Sequence, residues 1–327
     1  MQKRSAALRL AFIGFISIIA NAPPCSAQDQ FPSRVVTIVS PFSPGSTPDV
    51  ASRLLAPILS ERLGKPVIVE NKVGANGNIA MASVARAAPD GYTLIMAPDV
   101  AFCVNPNIYA NLPFDARRDF VPISSVVTHQ FVLFVRPDMQ PRDLPSFVEF
   151  ARAARPPLLY ASIGVGSLHH LAMEMLKQRA NIDLMHVPYR GGSAALTAIL
   201  GGDVQAHFSA SAGGEMINSG RLKALASTGV KRLKSFPNLP TVAETYPDYS
   251  VGAWIGLFAP AGTPDAIVAR LRKDVREAIA TPFFAERINV SGSEEPLQLN
   301  DADFLKLMDS DCGKYGPLVK SLGIKAD

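Results

Sequence analysis

The stretch that decides the fold is VVTIVSPFSPGSTPDVASRLL, residues 35–55. A run of β-branched apolar residues stops at Ser40, and a turn rich in Pro, Gly, Ser and Thr follows it. Apolar residues with helical spacing begin at Val50, and Pro48 suits the first turn of a helix, where its missing N–H costs no hydrogen bond. The stretch therefore predicts a strand, a loop and a helix. The loop contains neither a lysine nor a nucleophile in an activating context.

Strand-like and helical segments alternate through most of the chain in the same way. Strands separated by helical segments are typical of βαβ units and a largely parallel sheet. The alternation is broken by consecutive strands at 123–127 and 131–135, and by an apolar strand at 255–258 that follows a turn-rich stretch. Two passages of the chain between lobes would make one domain discontinuous and would place a cleft between the lobes.

We therefore predict an α/β protein with two lobes, each a mostly parallel sheet flanked by helices. About 300 residues after the N-terminal segment also suggest two domains, on a rough scale of 100–200 residues each. The predicted boundaries are 28–127 plus 253–327 for domain 1, and 128–252 for domain 2.

The N-terminal segment has the pattern of a secretory signal peptide. Three basic residues precede the apolar run 10–20, and Cys25, Ser26 and Ala27 supply small residues for cleavage. A membrane anchor is the alternative, but the run is shorter than the roughly 20 apolar residues that a spanning helix needs. We predict a signal peptide at 1–27, cleavage after Ala27, and a soluble protein in the periplasm.

The net charge gives little support for nucleic-acid binding. Residues 1–27 carry three basic and no acidic side chains, so the remainder has 29 Lys+Arg against 28 Asp+Glu, a formal charge of +1. No basic run interleaved with aromatic residues occurs. We predict that nucleic acid is not a partner.

Two cysteines, Cys103 and Cys312, remain after cleavage. Cysteines in an oxidising compartment can pair. Bridging requires Cα atoms within roughly 7 Å, which the sequence does not reveal. Pairing and free thiols therefore both stay open.

Three predicted loops share one chemistry, and each precedes a predicted helix. In an open parallel sheet, ligands bind beyond the carboxyl ends of the strands, where such loops lie. Free backbone N–H groups at a helix N-terminus, with a macrodipole of roughly half a positive charge, form a ready site for a carboxylate or phosphate. The loops span residues 42–49, 162–169 and 189–193.

Ordinary helix capping explains any one of these loops taken alone, and Asp49 in a first turn is most simply a partner of the helix dipole. Repetition favours a site: one loop falls on the first predicted lobe and two fall on the second. The sequence therefore predicts a cleft in which backbone groups of both lobes bind a small anion.

Motifs for cofactors and covalent catalysis are missing. Gly164 and Gly166 begin a dinucleotide fingerprint, but His169 stands where its third glycine belongs. Neither a GxxxxGK[ST] nor a GxSxG motif occurs. We predict no cofactor.

The five histidines do not form a predicted metal site. Only His170 and Glu174 have one-turn helical spacing, and no third ligand is evident. His169, near a predicted helix start, can donate a hydrogen bond to a ligand or serve as a partly buried spacer.

Motifs distributed over nearly the whole chain resemble the Bug family, the extracytoplasmic solute receptors of tripartite tricarboxylate transporters. They include PFSPGSTPDVASRLLAPILSERLGKPVIVENKVGANGNIA, APDGYTLIM, NLPFDARRDFVPIS, GSLHHLAMEML, HVPYRGGSAALTAILGGDV, LPTVAET and GLFAPAGTP. The resemblance implies a two-lobed fold of the periplasmic-binding-protein type (type II) that closes on a small organic acid. It also implies that the loops of both lobes hold a carboxylate, partly through ordered water.

The resemblance also implies a set of ligand-binding residues, carried over by motif. On the first lobe they are Phe42, Ser43, Gly45, Ser46, Thr47, Asp49, Pro98, Asp99 and Val100. On the second lobe they are Ser162, Gly164, Gly166, Ser167, His169, Tyr189, Gly191 and Ser209.

Three positions depart from the family pattern. Ser46 stands where a second glycine is frequent, and Ser209 stands where an aspartate is common, so that a ligand ammonium loses one partner. Asp99 replaces a more usual hydroxyl or amide, and its carboxylate would either bind such an ammonium or repel a second carboxylate. The identity of the acid therefore stays open.

The favoured hypothesis is a monomeric receptor that delivers a small carboxylate, a di- or tricarboxylate or a related acid, to membrane transporter subunits. Ligand contacts with both lobes would drive closure about a hinge. One alternative is a receptor that mainly signals to a membrane sensor kinase. Another is an enzyme that acts on a carboxylic acid in the same cleft, with His169 as general base.

Overall fold

The structure is a computed structural model that describes residues 31–210 and 213–326. The predicted signal peptide lies outside these residues. The strands are β1 (Val36–Ser40), β2 (Val67–Asn71), β3 (Thr93–Pro98), β4 (Phe120–Gln130), β5 (Val132–Val135), β6 (Leu158–Ser162), β7 (Leu184–Pro188), β8 (Ala206–Ser209), β9 (Lys223–Ser227), β10 (Gly252–Pro260) and β11 (Glu294–Pro296).

Helices connect or flank these strands. They are α1 (Thr47–Leu63), α2 (Asn78–Ala85), α3 (Val100–Cys103), α4 (Asn105–Ile108), α5 (Leu144–Ala153), α6 (Leu168–Ala180), α7 (Gly192–Gly201), α8 (Gly213–Asn218), α9 (Asp265–Ile279), α10 (Pro282–Ile288) and α11 (Asp301–Ser321). Short 3-10 helices lie at Ala75–Gly77, Val242–Glu244 and Asn289–Ser291.

Two sheets define two lobes, which confirms the predicted fold class. The first lobe is built on a sheet with the order β11-β4-β10-β3-β1-β2, and the second on a sheet with the order β7-β6-β8-β5-β9. Strand β1 is parallel to β2 and β3, and β6 is parallel to β7 and β8. The other pairings are antiparallel, so the sheets are mixed rather than mostly parallel. A helix between two strands therefore predicted parallel pairing correctly only where the two strands belong to one βαβ unit.

The chain passes between the lobes twice. Strand β4 of the first sheet and β5 of the second are separated by Phe131 alone, and the chain returns between β9 and β10. The predicted domain boundaries at 127/128 and 252/253 fall close to these passages, and they remain a prediction. Two adjacent connections of this kind suit the hinge of a two-lobed protein.

Apolar side chains from the strands and helices form the core of each lobe. In the first lobe, Ile38 of β1 packs with Leu55 of α1 and Leu271 of α9, and all three are fully buried. In the second lobe, Phe134 of β5 packs with Ile199 of α7. Burying one such side chain contributes roughly 1.5–3 kcal/mol, so these contacts fix the orientation of the strands whose ends carry the loops.

A disulfide joins Cys103 at the end of α3 to Cys312 in α11, with the Cα atoms 4.2 Å apart. This resolves the pairing that the sequence left open. Helix α11 also contacts the returning passage, because Tyr315 donates a hydrogen bond to the carbonyl of Gly252 at 2.7 Å and Lys314 donates one to the carbonyl of Ser250. The bridge therefore fixes α11 beside the hinge.

Within the part of the chain that the structure describes, no helix combines the length and apolar character needed to cross a membrane.

Candidate functional site

A cavity of about 640 Å³ lies between the lobes. It is lined by both lobes and includes residues from each of the three loops that the sequence singled out. Predicted residues that line it are Phe42, Ser43, Gly45, Ser46, Thr47, Pro98, Asp99, Val100, Gly164, Ser167, His169, Tyr189 and Gly191. Predicted residues that do not line it are Asp49, Ser162, Gly166 and Ser209.

The N-termini of α1, α6 and α7 meet at this cavity. The residues that precede them, Ser46, Ser167 and Gly191, all line it. The first N–H groups of a helix have no partner within the helix. Of the two serines, Ser167 accepts a hydrogen bond from the N–H of His170, whereas Ser46 Oγ is buried without a partner among the described residues. Three positive dipole ends therefore surround one space.

The loop before α1 takes its shape from Asp49, which faces away from the cavity. Its carboxylate accepts hydrogen bonds from the N–H of Gly45 at 2.9 Å, from Arg53 at 3.0 Å and from Asn71 at 2.8 Å. Asn71 also donates to the carbonyl of Phe42. Burial alone would raise the pKa of Asp49, but the hydrogen bonds from Arg53, Gly45 and Asn71 outweigh it and lower the pKa. Asp49 therefore supports the loop from outside the cavity lining, and its role in ligand binding stays a prediction.

The loop before α6 takes its shape from two histidines. Ser162 Oγ forms a hydrogen bond of 2.6 Å with His186 Nε2, and the N–H of Gly166 donates to His170 Nδ1 at 3.1 Å. The two imidazoles stack with their centroids 4.1 Å apart. Ser162 has no exposed surface, so its contact with a histidine does not make it an accessible nucleophile. Ser162 and Gly166 support the loop from behind.

The lobes touch at two glycines of the second lobe. A Cβ atom at Gly191 would lie 2.8 Å from Ser43 Oγ, and a Cβ atom at Gly166 would overlap the end of the Ile108 side chain. Both glycines have positive φ, which other residues rarely adopt. The close approach of the lobes therefore requires glycine, which has no side chain, at positions 166 and 191.

Asp99 belongs to the cavity lining, but its carboxyl is buried and caps a helix. Its side chain has no exposed surface, and Oδ1 accepts a hydrogen bond from the N–H of Val100 at 2.7 Å. Burial, followed by the negative charge of Asp311, raises the pKa of Asp99 well above its ordinary value. The sequence offered a charged Asp99 as a partner or repellent of ligand groups, whereas the structure makes it the cap of α3.

Ser209 ends β8 and is buried opposite Val132 of β5. Ser209 lies outside the cavity lining. The aspartate that is common in the family at this position is therefore missing from the sheet rather than from the lining.

The sequence analysis missed one complete edge of the cavity. Residues 73–77, which follow β2, line it together with Tyr109, His129 and Phe131. The glycine-rich GANGN segment follows a strand parallel to β1, so the rule that located the other loops also applies to it. Tyr109, His129 and Phe131 carry no comparable signal, because only the packing of the lobes brings them to the cavity.

A cavity between two α/β lobes joined by two passages, and lined by helix N-termini, defines a solute-binding protein. The sequence model of the TctC family, described as tripartite tricarboxylate transporter family receptor, matches residues 51–324. The chain belongs to this family, which confirms the resemblance noted in its motifs.

Known proteins are similar along nearly the full chain. A UPF0065 protein of Bordetella pertussis is 34% identical over 317 residues, covering 96% of this chain and 97% of the relative. The structure of Rpa4515 from R. palustris with adipate has a TM-score of 0.85 at 29% identity, covering 90% of this chain and 99% of that one. The periplasmic binding protein BugD has a TM-score of 0.83 at 32% identity, covering 90% and 99%.

Proposed function

We propose that this protein is a periplasmic receptor that captures a small organic carboxylate and delivers it to the membrane subunits of a tripartite tricarboxylate transporter. The observation that carries the proposal is the convergence of the N-termini of α1, α6 and α7 on one cavity between the lobes. Membership of a receptor family and the likeness to a protein with bound adipate support it.

The electrostatics of the lining favour reversible binding of an anion. In the described residues, Arg190 is the only lysine or arginine that lines the cavity, and its side chain is exposed. A carboxylate would therefore be held mainly by backbone N–H groups and helix dipoles, which attract negative charge without a buried counter-ion. We propose that the predicted residues that line the cavity provide these contacts from both lobes, so that the ligand stabilises the closed state.

We propose further that residues 1–27 direct export and are removed, and that the mature receptor acts as a monomer without chemical turnover. The N-terminal mass of the exported protein should correspond to a chain that begins at Gln28. A retained N-terminal segment would contradict this part of the proposal.

The binding proposal is tested by thermal unfolding with a broad panel of di- and tricarboxylates, aromatic acids and aliphatic monocarboxylates. An acid present at about 100 times its dissociation constant should add roughly 2.7 kcal/mol to the free energy of unfolding. Acids that stabilise the protein should be recovered unchanged after incubation, as NMR of the mixture would show. A panel without any stabilising acid would overturn the carboxylate assignment, and a converted acid would overturn the receptor assignment.

Two glycines provide a matched test of the cavity. Gly164 and Gly220 both have positive φ, and a Cβ at either would meet nothing within 4 Å, but only Gly164 lines the cavity. Gly164→Leu should abolish the ligand-induced shift while Gly220→Leu retains it, and the free Gly164→Leu protein should be folded but less stable, because φ is 129° at Gly164 and 66° at Gly220. Equal shifts in both variants would place the ligand elsewhere.

A further inference from the structure

One side of the cavity carries an aromatic cluster that the carboxylate-binding loops do not use. This histidine wall consists of His129 at the end of β4, Phe131 in the first passage, His169 in the first turn of α6, and His207 in β8. Phe131 lies between His129 and His169, with ring centroids at 5.1 and 4.7 Å, and His207 stacks on His169 at 5.7 Å. His129, Phe131 and His169 line the cavity, while His207 is fully buried behind them.

Hydrogen bonding determines which ring nitrogens of the histidine wall carry protons. The Nδ1 atoms of His129 and His169 are buried and lack a partner among the described residues. A buried N–H group without a partner loses its bonds to water, so the proton is more stable on the other nitrogen, Nε2. Both rings thus present an Nε2–H donor on the side that lines the cavity. His207 instead donates through Nδ1 to the carbonyl of Ala161 at 3.1 Å.

The donors of the histidine wall carry no charge at neutral pH. Burial lowers the pKa of His129 to about 4 and the pKa of His207 to about 4. Burial, with His207 and His129 nearby, lowers the pKa of His169 well below its ordinary value. Asp99, the acidic residue of the described lining, has no exposed surface, and its Oδ1 accepts a hydrogen bond from the N–H of Val100.

The cavity lining beside these donors is apolar, and the acidic neighbour of His129, Glu294 opposite it in β11, lies outside that lining. Ala253 lies opposite His129 in the neighbouring strand β10, and Ala253, Ile255 and Ala210 line the cavity with Phe131. A second carboxylate would lose its hydration here and gain only neutral donors, which is unfavourable for a charged group. A ketone, amide or ring nitrogen loses much less hydration and accepts the same hydrogen bonds.

We propose that the ligand of this receptor is a monocarboxylate with an apolar body that ends in an uncharged hydrogen-bond acceptor, which the Nε2–H groups of His129 and His169 bind. The inference rests on the proposed function, because the carboxylate is held by the loops at the helix N-termini. It makes the histidine wall the determinant of specificity for the far end of the ligand.

The test uses two sets of acids in which only the far group changes and the shape is preserved. The aromatic set is 4-acetylbenzoate, 4-isopropylbenzoate and terephthalate. The aliphatic set is 5-oxohexanoate, 5-methylhexanoate and glutarate. One of the two sets should have a body that fits the cavity. In that set, calorimetry should show the ketone binding at least about tenfold more tightly than its isopropyl analogue, because one net hydrogen bond contributes about that factor and two donors are available. The dicarboxylate should bind more weakly than the ketone.

Two substitutions of His169 separate recognition from packing. His169→Gln keeps an N–H donor near the position of Nε2, whereas His169→Met keeps bulk without a donor. His169→Met should lower the preference for the ketone over the isopropyl acid, because only the Nε2–H group of His129 remains, and His169→Gln should retain the full preference. If His169 served packing alone, both variants would weaken all acids of a set to the same degree.

The outcomes distinguish this inference from the proposed function. Tighter binding of terephthalate or glutarate than of the matched ketones would overturn the uncharged acceptor and leave a carboxylate receptor in place. Absence of binding by both sets, with stabilisation only by di- or tricarboxylates of the broad panel, would overturn the monocarboxylate class proposed here. A ketone preference that is undiminished in His169→Met would remove His169 from recognition.

Discussion

The loops before α1 and α6 face the same cavity from opposite lobes, but different chemistry holds them. The first is organised around an ionised carboxylate, Asp49, which binds Gly45 N–H, Arg53 and Asn71. The second is organised around the neutral imidazoles of His170 and His186. The comparison shows that two loops with similar main-chain N–H groups can be held in place by side chains of opposite acid–base character.

The difference extends to the response to protons. Glu294 of β11 lies against the start of α1, where it accepts a hydrogen bond from Thr47 at 3.2 Å, and burial raises its pKa to about 7. Burial, aided by the neighbouring His186, lowers the pKa of His170 to about 4. Proton loss at mildly alkaline pH should therefore disturb the first lobe, and proton gain at acid pH should disturb the second.

The largest effect is expected at the carboxylate of the first loop. Asp49→Ala leaves Gly45 N–H and Asn71 without their acceptor, and should lower the free energy of unfolding by about 3 kcal/mol. Arg53→Met is the matched control, because the Arg53 side chain is 51% exposed and its ion pair should contribute about 1 kcal/mol or less. Urea unfolding of both variants measures the difference, and equal losses would show that the ion pair, rather than the loop hydrogen bonds, is the support.

His170→Asn tests the support of the second loop in acid. The folded pKa of about 4 lies below the ordinary value of 6.5, so the stability contributed by neutral His170 is present above pH 6.5 and is lost as the pH falls toward 4. Between pH 7 and pH 5 this loss amounts to about 2 kcal/mol. Asparagine keeps an acceptor for Gly166 N–H but does not titrate. Urea unfolding should therefore show that the variant does not lose the part of the unfolding free energy that His170 loses between pH 7 and pH 5. His186, Glu174 and Lys177 face the same ring and are present in both proteins. Parallel stability curves for variant and parent would contradict the assignment.

Glu294→Gln tests the first lobe in the opposite direction. The folded pKa of about 7 lies above the ordinary value of 4.5, so the contribution of protonated Glu294 is present at low pH and is lost as the pH rises through 7. The parent protein should lose about 2 kcal/mol between pH 5 and pH 8 through this group, and the glutamine variant should not. As the pH rises from 5 to 8, the unfolding free energy of the variant should therefore increase relative to that of the parent protein. A constant difference would mean that Glu294 does not titrate there.

The smallest effect concerns the contact between the lobes. Gly45 and Gly166 share a positive φ, but a Cβ at Gly45 would meet nothing within 4 Å, whereas at Gly166 it would meet Ile108. Gly166→Ala should weaken binding of a stabilising acid about tenfold, or about 1.4 kcal/mol, because the closed state must give way at Ile108. Gly45→Ala carries the same backbone strain and should weaken it less. Titration calorimetry gives both affinities, and a larger loss in Gly45→Ala would contradict the role of the Gly166 contact.

The fold was predictable because it depends on periodicity. Alternation of β-branched runs with helical spacing located both lobes, and the adjacent strands at 123–127 and 131–135 marked the first passage. The antiparallel pairing of β10 with β3 and β4 was not predictable in this way, because a strand has the same side-chain period in either direction.

The site was predictable in its backbone and much less in its side chains. Loops at the carboxyl ends of parallel strands were expected to gather at one edge, and they do. Asp49, Ser162 and Gly166 were placed at the ligand because a motif does not show which way a residue turns. Asn71, His186 and Ile108, which contact them, lie elsewhere in the chain, whereas Arg53 and His170 lie four residues from Asp49 and Gly166.

The link between Cys103 and Cys312 has a topological consequence. Both cysteines belong to helices that accompany the first lobe, and 209 positions of chain separate them. The covalent ring that they close contains both passages and every strand of the second sheet. If the second lobe unfolds while the first lobe stays folded, both ends of the unfolded segment therefore remain attached to the folded lobe. The second lobe then refolds as a tethered segment rather than as a free chain.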